Sequence, residues 1–289
     1  MTPPPHAADD PQTEPLLDRE YRVLDKGFVR LVDHMGGDAR IVQAARVSYG
    51  AGTKSTREDA QLIDYLMRQG HTSPFEQVVM TFHLKMPLFV ARQWLRHRTA
   101  RVNELSGRYS VLRDEFYVPE ALRGQDESNK QGSAGALGEE ANAQLLAELV
   151  ASQARAYDTY EALLEAGVAR ELARINLPLS LYTEFYWQID LHNLFHFLKL
   201  RLDPHAQREI RMYAEALLAF AKGVAPVACA AFEEHVLCAK TFSRGELELL
   251  RAAIDSGALQ AALETSDLRA SRRRELLEKL GFADAQRLA

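Results

Sequence analysis

The sequence predicts an α+β fold, an antiparallel sheet packed with several helices. Three observations carry that reading. Residues 78–86 alternate strictly, with Val78, Met80, Phe82, Leu84 and Met86 on one face and Thr81, His83 and Lys85 on the other, the two-residue period of a half-buried strand. Leu62, Ile63, Leu66 and Met67 recur at helical spacing instead. From Leu145 onward the chain reads as mostly helical. With 289 residues, 47% of them hydrophobic and 26% charged, there is ample material for a core, which excludes a disordered chain, a fibre or a disulfide-stapled miniature.

Residues 1–20 hold Pro3, Pro4, Pro5, Pro11 and Pro15 among several acids and read as a disordered arm, with no apolar core for a signal peptide. Short strand-like and helical pieces follow around the turn signal Gly36-Gly37-Asp38. Thr56-Arg57-Glu58-Asp59 resembles a capping box with Asp at its last position, and the helix it opens should close at Gly70. Pro74 biases Ser73 towards extended geometry, so His71–Glu76 cannot continue that helix. After the strand, Pro87 suits the first turn of a helix through Phe89, Val90, Trp94 and Leu95. Residues 96–109 have no apolar period and read as an irregular loop at a helix end. Glycine and polar density make 123–138 a flexible loop within one unit. Leu145, Leu146, Leu149, Ala156, Tyr160 and Leu163 mark a helix closed by Gly167, and a shorter one reaches Asn176-Leu177-Pro178. A further helix is read from about Leu181 to Leu202. Asp203-Pro204 then reads as an N-cap with Pro at N1, opening a helix that carries Ile210, Tyr213, Leu217 and Phe220. Residues 241–289 read as a peripheral, charge-rich helical extension, which leaves 21–240 as one domain.

Thirty-five basic against 40 acidic residues give a formal charge of -5, so nothing draws the chain globally to nucleic acid or an anionic membrane. No stretch approaches the roughly 18 apolar residues of a membrane span. A cytoplasmic protein with neither partner is expected. Cys229 and Cys238 are too few for a disulfide framework, and Cys229 sits in an apolar context as a packing group. Against this acidic background Arg92, Arg96, Arg98, Arg101 and Arg108 crowd together, with Glu104 the one acid between positions 92 and 108. A guanidinium fork matches phosphate bidentately, so the run reads as an anion site, most naturally for a phosphorylated substrate. A solvated charged face and a nucleic-acid patch are the alternatives; sparse stacking aromatics and the acidic balance weigh against the second. His192 and His196 lie four apart on a predicted helix, but Asn193 breaks the metalloprotease pattern, and no metal is expected. Ser106 has no nucleophile elbow, and there is neither a Walker A loop nor a dinucleotide fingerprint.

Arg96-His97-Arg98, followed after seven residues by Ser106 within Asn103-Glu104-Leu105-Ser106-Gly107-Arg108-Tyr109, resembles the signature of the flavin-dependent thymidylate synthases. Ala45-Arg46-Val47-Ser48, His71-Thr72-Ser73-Pro74-Phe75-Glu76, and Asn193 to Arg201 leading to His205-Ala206-Gln207 are similar to that family in the same order, over about residues 21 to 240. The resemblance implies a single catalytic domain that converts dUMP to dTMP. 5,10-Methylenetetrahydrofolate supplies the carbon and NADPH-reduced FAD the hydride, without a cysteine nucleophile. It also implies a homotetramer with active sites shared between subunits. Carried over residue by residue, Gln93, Arg96, Glu104, Leu105, Ser106, Gly107, Arg108, Arg174 and Arg201 should contact dUMP, with Ser106, Arg96 and Arg201 as catalytic groups. Ser48, His71, Ser73, Glu76, Arg96, His97, Arg98, Thr99, Asp190, His192, His196 and Leu200 should lie along FAD.

The chain departs from the family at Arg101, where many members have serine, at Asp190, where some have asparagine, and at His192, where some have arginine. The last two bear on the FAD phosphate contacts expected from their helix, for which Arg101 could supply one compensating charge. A catalytically inactive anion- or nucleic-acid-binding module on the same scaffold is the alternative reading.

Overall fold

The structure, a computed structural model, describes residues 16–47, 56–127, 130 and 132–282. It comprises two compact units, one ending at Leu237 and the other beginning at Cys238. In chain order the first contains β1 (Glu20–Val23), β2 (Gly27–Met35), α1 (Asp38–Arg46), α2 (Thr56–Arg68), β3 (Val79–Pro87), α3 (Leu88–Trp94) and β4 (Arg101–Glu104). The hairpin β5 (Arg123–Gln125) and β6 (Ser133–Ala136) follows, then α4 (Glu139–Glu165), α5 (Arg170–Ala173), β7 (Tyr182–Asp190), α6 (Leu191–Arg201), α7 (Arg208–Val224) and α8 (Pro226–Phe232). Five strands pair antiparallel in the order β1-β2-β3-β7-β4.

The alternation read for residues 78–86 is the core face of β3 and the residue before it: Val78, Met80, Phe82, Leu84 and Met86 are all fully buried. Ile210, Tyr213, Leu217 and Phe220 of α7 are buried in the same core, with the Phe220 ring edge-on to Phe82. The Tyr213 hydroxyl donates to the Lys85 carbonyl at 2.7 Å. A Cβ on Gly27 would lie 2.0 Å from that hydroxyl, so only glycine lets α7 approach the start of β2 this closely. Asp38 accepts hydrogen bonds from the amides of Val227 (2.8 Å) and Ala228 (2.9 Å), occupying two donors that the start of α8 leaves open. Helix α2 ends as expected, with Gly70 at φ +70°, and Gly167 at φ +82° follows α4.

Four expectations are corrected. The stretch read as one helix from Leu181 is β7 followed by α6. Its buried Thr183, Phe185, Trp187 and Ile189 alternate with Glu184, Tyr186 and Gln188, but no Gly or Pro separates strand from helix, which hid the change of period. Within the supposed loop 96–109, β4 pairs with β7; its side chains are exposed on both faces, so no apolar period marks it. Residues 123–138 include a hairpin rather than only loop. Helix α7 starts at Arg208, because Asp203 closes a local turn onto His205 instead of capping a helix. Of the capping box, the Thr56 side chain lies outside the described residues, while Asp59 is engaged by Arg46.

In the second unit, α9 (Arg244–Ala253), α10 (Ser256–Thr265) and α11 (Ala270–Leu280) follow one another. Ser243 and Glu246 form a reciprocal capping box at the start of α9. Arg251 donates to the Leu280 carbonyl at 2.7 Å, fastening α9 to the end of α11. No helix among the described residues is long and apolar enough to cross a membrane.

Candidate active site

An aromatic cluster fixes where α3 and α6 end. Trp94 packs on Phe197 with ring centroids 4.4 Å apart and on Trp187 at 5.0 Å. With these rings buried, the chain beyond Trp94 turns outward, exposing Arg96, Arg98 and Thr99 while His97 stays half-buried. Arg201, at the end of α6, donates through Nε to His97 Nε2 at 3.0 Å and through a terminal nitrogen to the Gln93 carbonyl at 3.2 Å. A guanidinium only donates, so His97 Nε2 accepts and the ring is neutral. Burial, then the charges of Arg201 and His196, push the His97 pKa down to about 4.

That shift has a testable consequence. Between about pH 6.5 and 4 the unfolded chain binds a proton at residue 97 that the folded chain refuses, so stability falls as pH falls through this window. In His97→Gln the fall in urea midpoint from pH 7 to pH 5 should be smaller than in wild type; an equal fall would remove His97 as its source.

Helix α6 and its cap Asp190 carry four of the twelve residues expected along FAD. Its first amide, of Leu191, donates to the Val78 carbonyl at 2.8 Å, which sets its start beside the turn carrying exposed His71, Ser73 and Glu76. His192, His196 and Leu200 follow four apart and so form one stripe along the helix, and the His196 ring stands edge-on to His97, centroids 6.0 Å apart. Asp190 caps the helix: its carboxylate accepts from the Asn193 amide at 2.9 Å and the Asn193 side chain at 2.7 Å. Ser48 lies outside the described residues.

A second group forms where β4 leaves the sheet. Glu104 accepts from the Thr183 hydroxyl at 2.7 Å. The chain then turns tightly, the Ser106 carbonyl accepting from the amides of Tyr109 and Ser110, both at 3.1 Å, and Ser106 Oγ from the Arg108 amide at 3.3 Å. Gly107 is buried, and a Cβ there would crowd Arg174 Cδ at 3.1 Å, so its absence lets Arg174 lie against the turn. Leu105 is exposed beside it. Arg108 pairs with Glu171 at 3.1 Å, and Arg170 donates to the Tyr109 carbonyl at 2.7 Å, around a cavity of about 440 Å³.

The dUMP candidates thus fall into two groups, Gln93, Arg96 and Arg201 against Glu104, Leu105, Ser106, Gly107, Arg108 and Arg174. Among the described residues no hydrogen bond or ion pair joins the groups. Of the clustered arginines, Arg108 is paired, while Arg92, Arg96, Arg98 and Arg101 form no ion pair among the described residues. Thr183, Glu171 and the buried Glu209 escaped the sequence reading. Nothing local marks them, although Gln207, which touches Glu209, closes a segment that the family resemblance already covers.

A model of the family described as "Thymidylate synthase complementing protein" matches residues 30–227. A flavin-dependent thymidylate synthase of Thermus thermophilus is 62% identical over 258 residues, 89% of this chain and 94% of its own length. One of Treponema denticola is 59% identical over 254 residues, covering 86% and 96%. Among solved structures, a UMP/dUMP methylase PolB from Streptomyces cacaoi bound with 5-Br dUMP superposes with a TM-score of 0.69 at 34% identity, over 75% of this chain and 99% of that one.

Proposed function

Because the chain belongs to the flavin-dependent thymidylate synthase family, we propose that its two residue groups are the two sides of a dUMP site completed between subunits. The enzyme methylates dUMP to dTMP with FAD as cofactor and 5,10-methylenetetrahydrofolate and NADPH as co-substrates. That no hydrogen bond or ion pair among the described residues joins Gln93, Arg96 and Arg201 to Glu104, Ser106, Gly107, Arg108 and Arg174 supports a homotetramer in which one subunit offers the first group and a neighbour the second. The compartment is the cytoplasm.

The single observation that carries the site is Arg201, held between His97 and the Gln93 carbonyl; Arg96 and Arg98, which flank His97, are exposed and form no ion pair among the described residues. Guanidinium groups fixed in this way stabilise negative charge as it develops on the pyrimidine, with no reorganisation during the reaction. Ser106 positions the uracil: among the described residues its hydroxyl has no basic partner that would make it a nucleophile. The donor set fits FAD. Arg96, Arg98 and Arg101, which form no ion pair among the described residues, are cations for its phosphates, and the His192, His196 and Leu200 stripe gives a polar and apolar wall. FAD supplies the hydride chemistry when bound. Protein incubated with FAD and desalted should keep its flavin absorption, and those bands should shift as dUMP is added. Desalted protein without flavin that binds oligonucleotides in a salt-dependent manner would point instead to an inactive anion-binding module.

A further inference from the structure

Beside Gln93 lies a polar chain that starts at a buried carboxylate, so its polarity is set far from the substrate side. Glu209, in the first turn of α7, is 3% exposed. One of its oxygens accepts from Arg123 at 2.7 Å and from the Tyr117 hydroxyl at 3.2 Å; the other accepts from Gln207 Nε2 at 2.8 Å. Gln207 Oε1 in turn accepts from Gln93 Nε2. The chain therefore runs from the β5–β6 hairpin, which carries Arg123, through α7 to the end of α3. Burial opposes charge on Glu209, but hydrogen bonds from Arg123, its own amide and Gln207, with the Arg123 charge, hold its carboxyl below the usual range.

Each link has one permitted direction. An ionised carboxylate only accepts, so Gln207 must turn its NH₂ towards Glu209 and its carbonyl towards Gln93. Gln93 must then spend its NH₂ on Gln207. Its side-chain carbonyl oxygen is left with no hydrogen-bond partner among the described residues. Gln93 lies next to Arg201 through its own backbone carbonyl, so a fixed acceptor and a fixed donor stand side by side.

We propose that Gln207 and Glu209 are positioning residues that lock the Gln93 amide with its carbonyl towards dUMP, making Gln93 a reader of a neutral N–H or O–H donor on the nucleotide. The proposal rests on the dUMP site described above. Two groups of dUMP have that chemistry, the pyrimidine N3–H and the sugar 3′-hydroxyl. A free amide could turn to suit either a donor or an acceptor; a locked one discriminates, because a mismatched ligand group would leave both partners unsatisfied.

The FAD-loaded full-length enzyme tests this. In Glu209→Gln the amide at 209 can donate, Gln207 and Gln93 are free to turn over, and the dUMP KM should rise about tenfold, the worth of roughly one hydrogen bond, with a smaller change in kcat. The exchange variant Glu209→Gln/Gln207→Glu puts the acceptor-only carboxylate one step nearer and re-imposes the original direction on Gln93, so the KM should return to within about threefold of wild type. A residue that merely supported the fold would show no such rescue. Gln207→Leu, at an exposed position that leaves Glu209 with Arg123 and Tyr117, should raise the KM as Glu209→Gln does, and covers the case in which the latter fails to fold. Binding of 3-methyl-dUMP and of 2′,3′-dideoxy-UMP, followed by the flavin absorbance shift, separates the two donors. The analogue lacking the donor that is read should bind wild type about tenfold more weakly than dUMP, and Glu209→Gln as well as dUMP does. An unchanged KM in Gln207→Leu, or two analogues whose relative affinities ignore residue 209, would overturn the relay while leaving the enzyme's function intact. No dUMP-induced shift in wild type would overturn the site and the relay together.

Discussion

Arg201→Ala should lower the turnover of dUMP by about 10²–10³, the usual loss when one fixed donor to developing charge is removed. Among the described residues two partners hold this guanidinium, the neutral ring of His97 and the main-chain carbonyl of Gln93, and neither is a carboxylate. Its positive charge is therefore not neutralised before substrate arrives. Lysine should not rescue the activity, because one ammonium cannot span a ring nitrogen and a carbonyl while keeping a planar fork for the ligand. Steady-state dTMP formation at saturating dUMP measures the effect, and thermal unfolding of the same samples guards against misfolding. Turnover within about threefold of wild type would remove Arg201 from the catalytic group.

Trp187→Ala should destabilise the first unit by about 3–5 kcal/mol, the range for an aromatic side chain deleted from a packed core. Trp187 is fully buried and touches Phe82 across the sheet, Trp94 at the end of α3 and Phe197 on α6, so its loss opens a void where three elements meet. Trp187→Phe should cost far less, below about 1.5 kcal/mol, since it keeps a ring and also removes a buried indole N–H that has no hydrogen-bond partner among the described residues. The protein has two tryptophans, so Trp94 fluorescence remains to report urea unfolding in both variants. Because Trp94 and Phe197 anchor α3 and α6, the alanine variant should also loosen the Arg201–His97 contact and weaken dUMP binding.

What could be read from the residues follows how each element is buried. β3 was legible because one of its faces is wholly inside and the other is not. β7 is also half-buried, but it runs straight into α6 with no Gly or Pro between them, so its alternation merges with the helical period that follows. β4 could not be seen at all, since a strand exposed on both sides leaves no apolar period. The arginine-rich segment stood out from charge alone, and the Arg96-His97-Arg98 signature with its companion segments gave the family. The division of the dUMP candidates into two groups was out of reach, because it depends on which turns the sheet brings together. The same holds for Glu209, whose partners Arg123 and Tyr117 are brought to it by tertiary folding alone.

The strand order also sets a timetable for the chain as it is made. β1, β2 and β3 are sequential neighbours and can zip together as soon as residue 87 leaves the ribosome. The partner of β3's other edge is β7, with Phe82 opposite Trp187, roughly a hundred residues later. At about 5–20 residues per second the ribosome needs on the order of 5–20 seconds to supply it. Throughout that interval the nascent meander carries an open edge beside its most apolar strand, a template for pairing with a neighbouring nascent chain. Newly made copies, rather than finished enzyme, are therefore the state in which this protein most needs dilution or a chaperone.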